Sequence, residues 1–340
     1  MRNDTRNLFN AYLGQLTKLH GVPDVTTKFA TAPSVTQTLE TRMQESSQFL
    51  SAINIYGVTE QMGEKIGMGI GGPNAGTTDT TQKDRETTDI TTLDDRGYFC
   101  SQTNFDTHLR YSKLDAWAKF PDFQARIRDA ILKRQALDRI LIGWNGTSRA
   151  ATSNPATNPL RQDVNIGWLQ KMRTENAARV MKEVVEGTNK ITIGAGKDFS
   201  NLDALVFSMV EEFIAPWYQE DPDLVVICGR QLLADKYFPI INKEHAPSEM
   251  LAADIVTSQK RLGNLPAVRV PYFPARGLLV TKLENLSIYW QEGSRRRTVL
   301  DNAKRDRIEN YESVNDAYVI EDLECASLAE NIDIADGGRP

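Results

Sequence analysis

Three histidines, His20, His108 and His245, and three cysteines, Cys100, Cys228 and Cys325, are the side chains best suited to nucleophilic, acid–base or metal chemistry in this chain. They are scattered. No C-x-x-C or H-E-x-x-H spacing occurs, so a zinc ion has no ligand set. Glu244-His245 lacks a second histidine at helical spacing. Asp106 and His108 have no placed nucleophile, and no G-x-S-x-G elbow is present. An odd cysteine count without spacing motifs reads as free thiols in a reducing compartment. Gly67-Met-Gly69-Ile-Gly-Gly72 fits G-x-G-x-x-G literally, but that chemistry needs a helix N-terminus to receive a pyrophosphate. Pro73-Asn-Ala-Gly76 follows instead, so these glycines read as part of an arm. Asp221-Pro-Asp223 resembles a metal-binding D-x-D, yet it precedes a strand, whereas open α/β sheets bind ligands beyond the carboxyl ends of strands. We assign no catalytic, cofactor-binding or metal-binding residue, and no cofactor. The chain reads as a non-enzyme.

Two basic runs remain, Arg295-Arg296-Arg297 and Lys304-Arg-Asp-Arg307. They lack interleaved aromatics for stacking on bases, and Glu292, Asp301 and Glu309 dilute them. They read as salt links between subunits or as a solvated face. A net charge of −5 argues against a protein whose main task is gripping phosphates. The 40% apolar and 25% charged fractions are those of a soluble globular protein. No apolar run is long enough to span a membrane, and the N-terminus has no signal-peptide pattern, which keeps the chain in the cytosol that made it.

The elements that would carry these residues are uneven in character. Residues 4–20 predict an amphipathic helix with Leu8, Tyr12, Leu16 and Leu19 on its buried face, flanked by Phe9 and Leu13 and ended by Gly21-Val-Pro23. Residues 32–55 are Ser/Thr-rich and irregular, an arm leading to a strand around 53–58. Residues 71–97 hold almost no apolar side chains and cannot fold a core of their own. With strand-like flanks at 64–70 and 98–109, they read as a long two-stranded arm, which is barely stable alone and calls for a neighbouring subunit. Residues 122–145 predict the strongest helix, with Ile127, Ile131, Leu137, Ile140, Leu141 and Trp144 on its buried stripe, and Arg126, Arg128, Lys133, Arg134 and Arg139 on other faces. Further elements are a helical piece near 168–185, a helix at 201–214 capped by Ser200 and Asp203, an all-apolar strand at 224–228, a helix at 231–237, strands at 268–273, 278–283 and 286–290, and a last strand at 318–320. The tail 336–340 should fray.

Several long stretches resemble a known family. They are Val35 to Ile70, opening VTQTLETRMQESSQFLSAINIYGV; Trp217 to Pro274, opening WYQEDPDLVVICGRQLLADKYFPIINKE; Leu279 to Arg297, LVTKLENLSIYWQEGSRRR; and Asp306 to Asp322, DRIENYESVNDAYVIED. The chain after residue 33 is similar to the major capsid protein of peduovirus-type, contractile-tailed bacteriophages. That resemblance implies an α+β chain with the tailed-phage capsid fold of the Hong Kong 97 type. Its parts would be an N-terminal propeptide or assembly segment at 1–31, an N-arm at 32–55, an extended loop hairpin at 56–100, a peripheral domain at 101–200 with the spine helix 122–145, an axial domain at 201–297, and a return to the peripheral domain at 298–340. The implied function is self-assembly into pentamers and hexamers of an icosahedral shell around double-stranded DNA, held without sequence-specific contacts. The implied partners are further copies of the chain, a portal protein, an internal scaffold and a maturation protease, with no membrane. The implied location is the virion, after assembly in the host cytoplasm. The alternatives are a non-viral nanocompartment shell of the same fold and a small-molecule α/β enzyme.

The resemblance also implies processing. Residues 24–33 are polar, with small side chains and no periodicity, and exposed irregular segments are where proteases cut most easily. The family's protease trims the N-terminus, so the candidate processing residues are Lys28, Phe29, Ala30, Thr31 and Ala32. The segment before Thr31 carries two net positive charges, so its loss leaves about seven negative ones on the remainder.

Overall fold

The chain is seen in a computed structural model that describes residues 1–65, 69–70, 75–87, 91–92, 97–120, 122–233 and 261–334. Helix α1 (Asn3–His20) ends at Gly21, whose φ of 64° is the left-handed conformation that glycine adopts freely. Its buried stripe is Phe9, Tyr12, Leu16 and His20, while Leu8 and Leu19 stand 38% and 58% exposed. The stripe is thus rotated from the expected Leu8–Leu19 face, because the aromatic pair Phe9–Tyr12 outcompetes two leucines for the core.

The short strand β1 (Phe29–Ala30) leads to α2 (Pro33–Glu45) and α3 (Gln48–Ala52), then to β2 (Asn54–Val58). The arm is therefore mostly helical, which its Ser/Thr content hid. Thr36, Thr38 and Thr41 donate their hydroxyls to carbonyls four residues back at 3.2, 2.9 and 3.0 Å, so polar side chains sit in the helix without competing donors. Pro33 sits in the first turn, where its missing N–H costs nothing.

A ribbon follows, in which β3 (Met62–Gly63) and β4 (Gly69–Ile70) run out, and β5 (Thr91–Thr92) and β6 (Tyr98–Phe99) return. Strands β3 and β6 pair antiparallel, as do β4 and β5. The chain continues through β7 (Ser101–Asn104), β8 (Thr107–Arg110) and α4 (Tyr111–Trp117) into the spine helix α5 (Phe123–Asn145). Then come α6 (Trp168–Glu175), β9 (Val180–Met181), β10 (Ile191–Ile193), α7 (Leu202–Phe213) and β11 (Leu224–Cys228). Helix α6 is shorter than the 168–185 reading. Helix α7 is capped by Asn201, which accepts from the Ala204 amide at 2.8 Å, and not by Ser200; the Asp203 carboxylate instead accepts from Gly263 at 2.7 Å. Most of the expected helix at 231–237 and the tail 336–340 lie outside the described residues.

The remaining strands are β12 (Arg261–Leu262), β13 (Leu265–Arg269), β14 (Leu278–Lys282), β15 (Leu286–Gln291), β16 (Arg296–Asn302), β17 (Arg307–Ile320), β18 (Ala326–Ala329) and β19 (Ile332–Ile334). The strand expected at 318–320 is thus the end of a 14-residue strand, and it is not the last.

Two sheets result. In the first, β17 is the central rod: its first half pairs with β16 and β8, its second with β15 and β7. Strand β2 extends this sheet beyond β15, and β1 extends it beyond β16. Residues 286–291 therefore lie in this sheet, although the sequence grouped them with 201–297. The second sheet runs β12-β13-β11-β14-β18-β9, with β11 parallel to β13 and antiparallel to β14. As expected of an all-apolar run, β11 is central and its Leu224, Val226 and Ile227 are fully buried.

One core joins the two sheets. Trp144 on α5 and Trp168 on α6 lie 4.8 Å apart between ring centres, with Phe49, Phe273 and Tyr318 packed around them. The Trp168 indole donates to the Ser287 carbonyl at 3.1 Å, so its one polar atom is satisfied. The contact between the two helices depends on Gly143, where an added Cβ would lie 2.3 Å from the Trp168 ring. Gly143→Ala is expected to cost about 1–3 kcal/mol by overpacking. A urea-unfolding midpoint equal to that of the unaltered chain would show that the two helices do not meet there as closely as described.

Candidate assembly site

The polar side chains that hold the arm to the body converge in a dry site between α2, α5 and β17. Glu40 comes from α2, Arg139 and Gln135 from α5, Arg295 from the turn before β16, and Glu312 and Asp316 from β17. All six are at least nine-tenths buried. Arg139 forms ion pairs with Glu40 and with Asp316, the latter at 3.0 Å. Arg295 donates to Glu40 at 2.7 Å and also pairs with Glu312, which accepts from the Gln135 amide at 2.9 Å. Two of these cations were expected elsewhere. Arg139 was read on a face of the helix other than its buried stripe, and Arg295 as a link between subunits or a solvated side chain; both are enclosed within one subunit because their carboxylates come from distant parts of the chain.

Three carboxylates pair with two guanidinium groups, and a third, that of Arg297, lies near enough to Glu312 to act on its charge. Burial alone would push the Glu40 carboxyl up, but Arg139 and Arg295 outweigh it and hold it below its ordinary range. Glu312 is likewise lowered, with Arg295 and Arg297 overcoming its burial. Asp316 goes the other way: burial raises it, and its one guanidinium is shared with Glu40.

The candidate processing residues lie beside this network. Phe29 and Ala30 pair with Arg297 and Arg296 at the sheet edge, the Thr31 amide donates to the Arg295 carbonyl at 2.9 Å, and the Val299 amide donates to Val25 at 3.0 Å. Phe29 is buried, its ring 4.9 Å from that of His20, and Thr31 is buried too; Lys28 and Ala30 are exposed and Ala32 is intermediate. Phe29 and Ala30 thus pair at a sheet edge, while 24–28 are irregular and mostly exposed, as their composition suggested. Helix α1 anchors the segment from the other side. Phe9, Tyr12 and Leu16 pack against Leu114, Ile127, Ile131, Val299 and Ile308, while Asp301 accepts from both Arg6 and Tyr111.

The other chemistry-bearing motifs are not brought together. His20 is buried and His108 exposed on β8, while His245 lies outside the described residues. Burial pushes the thiols of Cys100, Cys228 and Cys325 up to about 12, 11 and 11, far from thiolate chemistry at neutral pH. Asp221 pairs with Lys282 and accepts from the Asp223 amide, forming a turn into β11. Of the glycine pattern, Gly69 lies in β4, and most of the rest is outside the described residues. Among the described residues no cluster of three His, Cys, Asp or Glu side chains could hold a metal ion, and no helix is long and apolar enough to cross a membrane. The ribbon, by contrast, leaves Met62 and Phe99 at its base 69% and 56% exposed.

The chain is similar to known proteins along its whole length. The family described as "Phage major capsid protein, P2 family" matches residues 8–332. The capsid protein of Escherichia phage P2 is 55% identical over 100% of this chain and 98% of its own length. The major capsid protein of Serratia phage KSP20 is 39% identical over 98% of each chain. A subunit of the solved satellite phage P4 procapsid that includes the size determination (Sid) protein superposes with a TM-score of 0.83 at 53% identity, covering 99% of this chain and 100% of that one.

The charge arithmetic of the buried site gives two expectations. Arg139→Met leaves Asp316 without its cation and Glu40 sharing Arg295 with Glu312, and should cost about 3–5 kcal/mol, whereas Glu40→Gln leaves two balanced pairs and should cost less. Equal losses in urea unfolding would refute that ordering. Asp316 binds its proton more tightly folded than unfolded, so between its ordinary 3.8 and its higher folded value the chain gains stability as pH falls. Glu40 and Glu312 oppose this below the ordinary 4.5, where their stabilisation is lost as pH falls through their lowered values. Asp316→Asn should abolish the gain. An unchanged pH slope in that variant would remove Asp316 from this role.

Proposed function

The chain belongs to the P2 family of phage major capsid proteins, and from that premise we propose that copies of it assemble as pentamers and hexamers into an icosahedral shell enclosing double-stranded DNA. The family is one of structural shell proteins, not enzymes. The observation that most favours the shell reading in the subunit itself is the ribbon from β3 to β6. It leaves Met62 and Phe99 uncovered, and an extended two-stranded arm gains stability by lying on another surface. Repetition around symmetry axes then multiplies individually weak contacts into a stable container. In this reading residues 56–100 are the extended loop, 101–200 with its spine helix and 298–340 the peripheral domain, and 201–297 the axial domain, except that β15 joins the peripheral sheet around β17 and β18 the axial sheet around β11. A chain with about seven net negative charges after trimming would hold DNA without gripping it.

Processing belongs to the same proposal. An internal scaffold and a portal protein join assembly in the host cytoplasm, and a maturation protease then cuts among Lys28, Phe29, Ala30, Thr31 and Ala32. Proteases read extended backbone, and here that backbone is already paired with β16. Cutting therefore requires β1 to leave the sheet edge first, which ties the cut to a rearrangement of the subunit.

Two measurements test these statements. Electron microscopy of the expressed chain should show shells or capsomers; only small monodisperse particles would count against assembly. Phe99→Asp should leave a folded, soluble subunit that does not close into shells, and normal shells from this variant would release the ribbon from its role. Intact-mass analysis of DNA-filled particles should find chains beginning between residues 29 and 33, and a full-length 340-residue chain there would sink the processing step.

A further inference from the structure

A groove of about 830 Å³ opens beside α1 and is unused by the contacts described so far. One wall is α1, with Leu8 and Leu19; the opposite wall is α2, with Val35 and Leu39; and the end of α4 with the start of α5 closes it through Phe120 and Ala125. Leu8 and Leu19 explain the rotated stripe of α1: the helix has a second apolar face, and it looks into this groove. The rim is cationic. Lys119, Arg126 and Arg128 stand around it against two carboxylates, Asp122 and Asp129, which pair with Arg126 and Arg128 at 2.8 Å each, so the net positive charge is that of Lys119. Among the described residues Lys119 makes no ion pair, its ammonium lying 5.3 Å above the Phe120 ring. His20, also in the lining, has a buried Nδ1 without a hydrogen-bond partner.

We propose that this groove is a docking site for an amphipathic helix of an assembly partner, with an apolar stripe seated between α1 and α2 and acidic side chains meeting Lys119 and Arg128. Three helical elements with apolar sides and, among the described residues, no fourth helix between them suit a helix-in-groove contact. The charge on the rim selects acidic flanks over basic ones. A second copy of this chain is the competing occupant. The proposal also deepens the processing reading and in this part rests on it: α1 lies wholly within residues 1–31, so trimming removes one wall of the groove and dismisses its occupant.

The test uses the purified full-length chain and a synthetic, fluorescently labelled helix with leucines along one face and glutamates beside them, compared with the same helix carrying lysines. Fluorescence anisotropy should show the glutamate helix binding at least about tenfold more tightly. Leu19→Ser should weaken it by about tenfold, and because Leu19 is already exposed the variant should keep its thermal unfolding curve. Lys119→Glu combined with Arg128→Glu should reverse the preference toward the lysine helix. Equal binding of both helices, no binding up to about 1 mM, or a Leu19-dependent self-association that the glutamate helix does not compete with would overturn the proposal. Electron microscopy of the same preparation separates the two readings. Shells without helix binding overturn the docking site alone, and helix binding without shells supports it while overturning assembly.

Discussion

The fold of this subunit turns on the enclosed charges of Glu40, Arg139, Arg295, Glu312 and Asp316. Removing charges from water is costly, and their mutual attraction repays it only when geometry is good and hydrogen bonds are complete. Here the guanidinium forks provide that geometry, and Gln135 supplies a further donor. An apolar cluster could have filled the same volume, but it would tolerate sliding of α2 along the body. The ion pairs set the arm in one register against the spine helix and β17, and so fix where β1 and α1 begin.

Part of the fold could be read locally. The spine helix, the ribbon and β11 each announce themselves within a dozen or so residues, through a helical repeat, a polar tract between strand-like flanks, and an unbroken apolar run. The network could not be read that way. Arg139 meets Glu40 across 99 residues and Arg295 meets it across 255, so each looked like an ordinary surface charge beside its sequence neighbours. Glu40 itself sat in a stretch whose Ser/Thr content masked the helix. A usable signal did exist: Arg139 is flanked in helical register by Gln135, Ala136, Ile140 and Ile142, all buried, which places it on the inner side. The candidate processing residues were located by resemblance; their pairing to β16 was beyond any local pattern, since Phe29 alternates with exposed Lys28 and Ala30 over only two paired residues.

The N-terminal segment and the ribbon show two opposite uses of extended chain. Strand β1 completes a sheet inside its own subunit and shields an edge that would otherwise offer unpaired amides to any neighbour. The ribbon carries its pairing away from the body and keeps apolar side chains uncovered at its root. A single subunit thus presents one paired edge and one arm with an uncovered root, in the tailed-phage capsid fold that this α+β chain shares with the P4 procapsid subunit.

The distance in sequence between Glu40 and Arg295 also sets a schedule. A ribosome adding about 5–20 residues per second takes about 13–50 s to travel the 255 residues between them. For the first 99 of those residues Glu40 has neither of its cations, and after that it has Arg139 alone, while β1 has no edge to join, because β16 and β17 have not yet been made. Truncated products released from the ribosome before that point would keep a Glu40 without Arg295 and an α1 without Val299 and Ile308. The geometry that locks the arm therefore doubles as a test of completeness, one that a chain passes only after its final fifth has been synthesised.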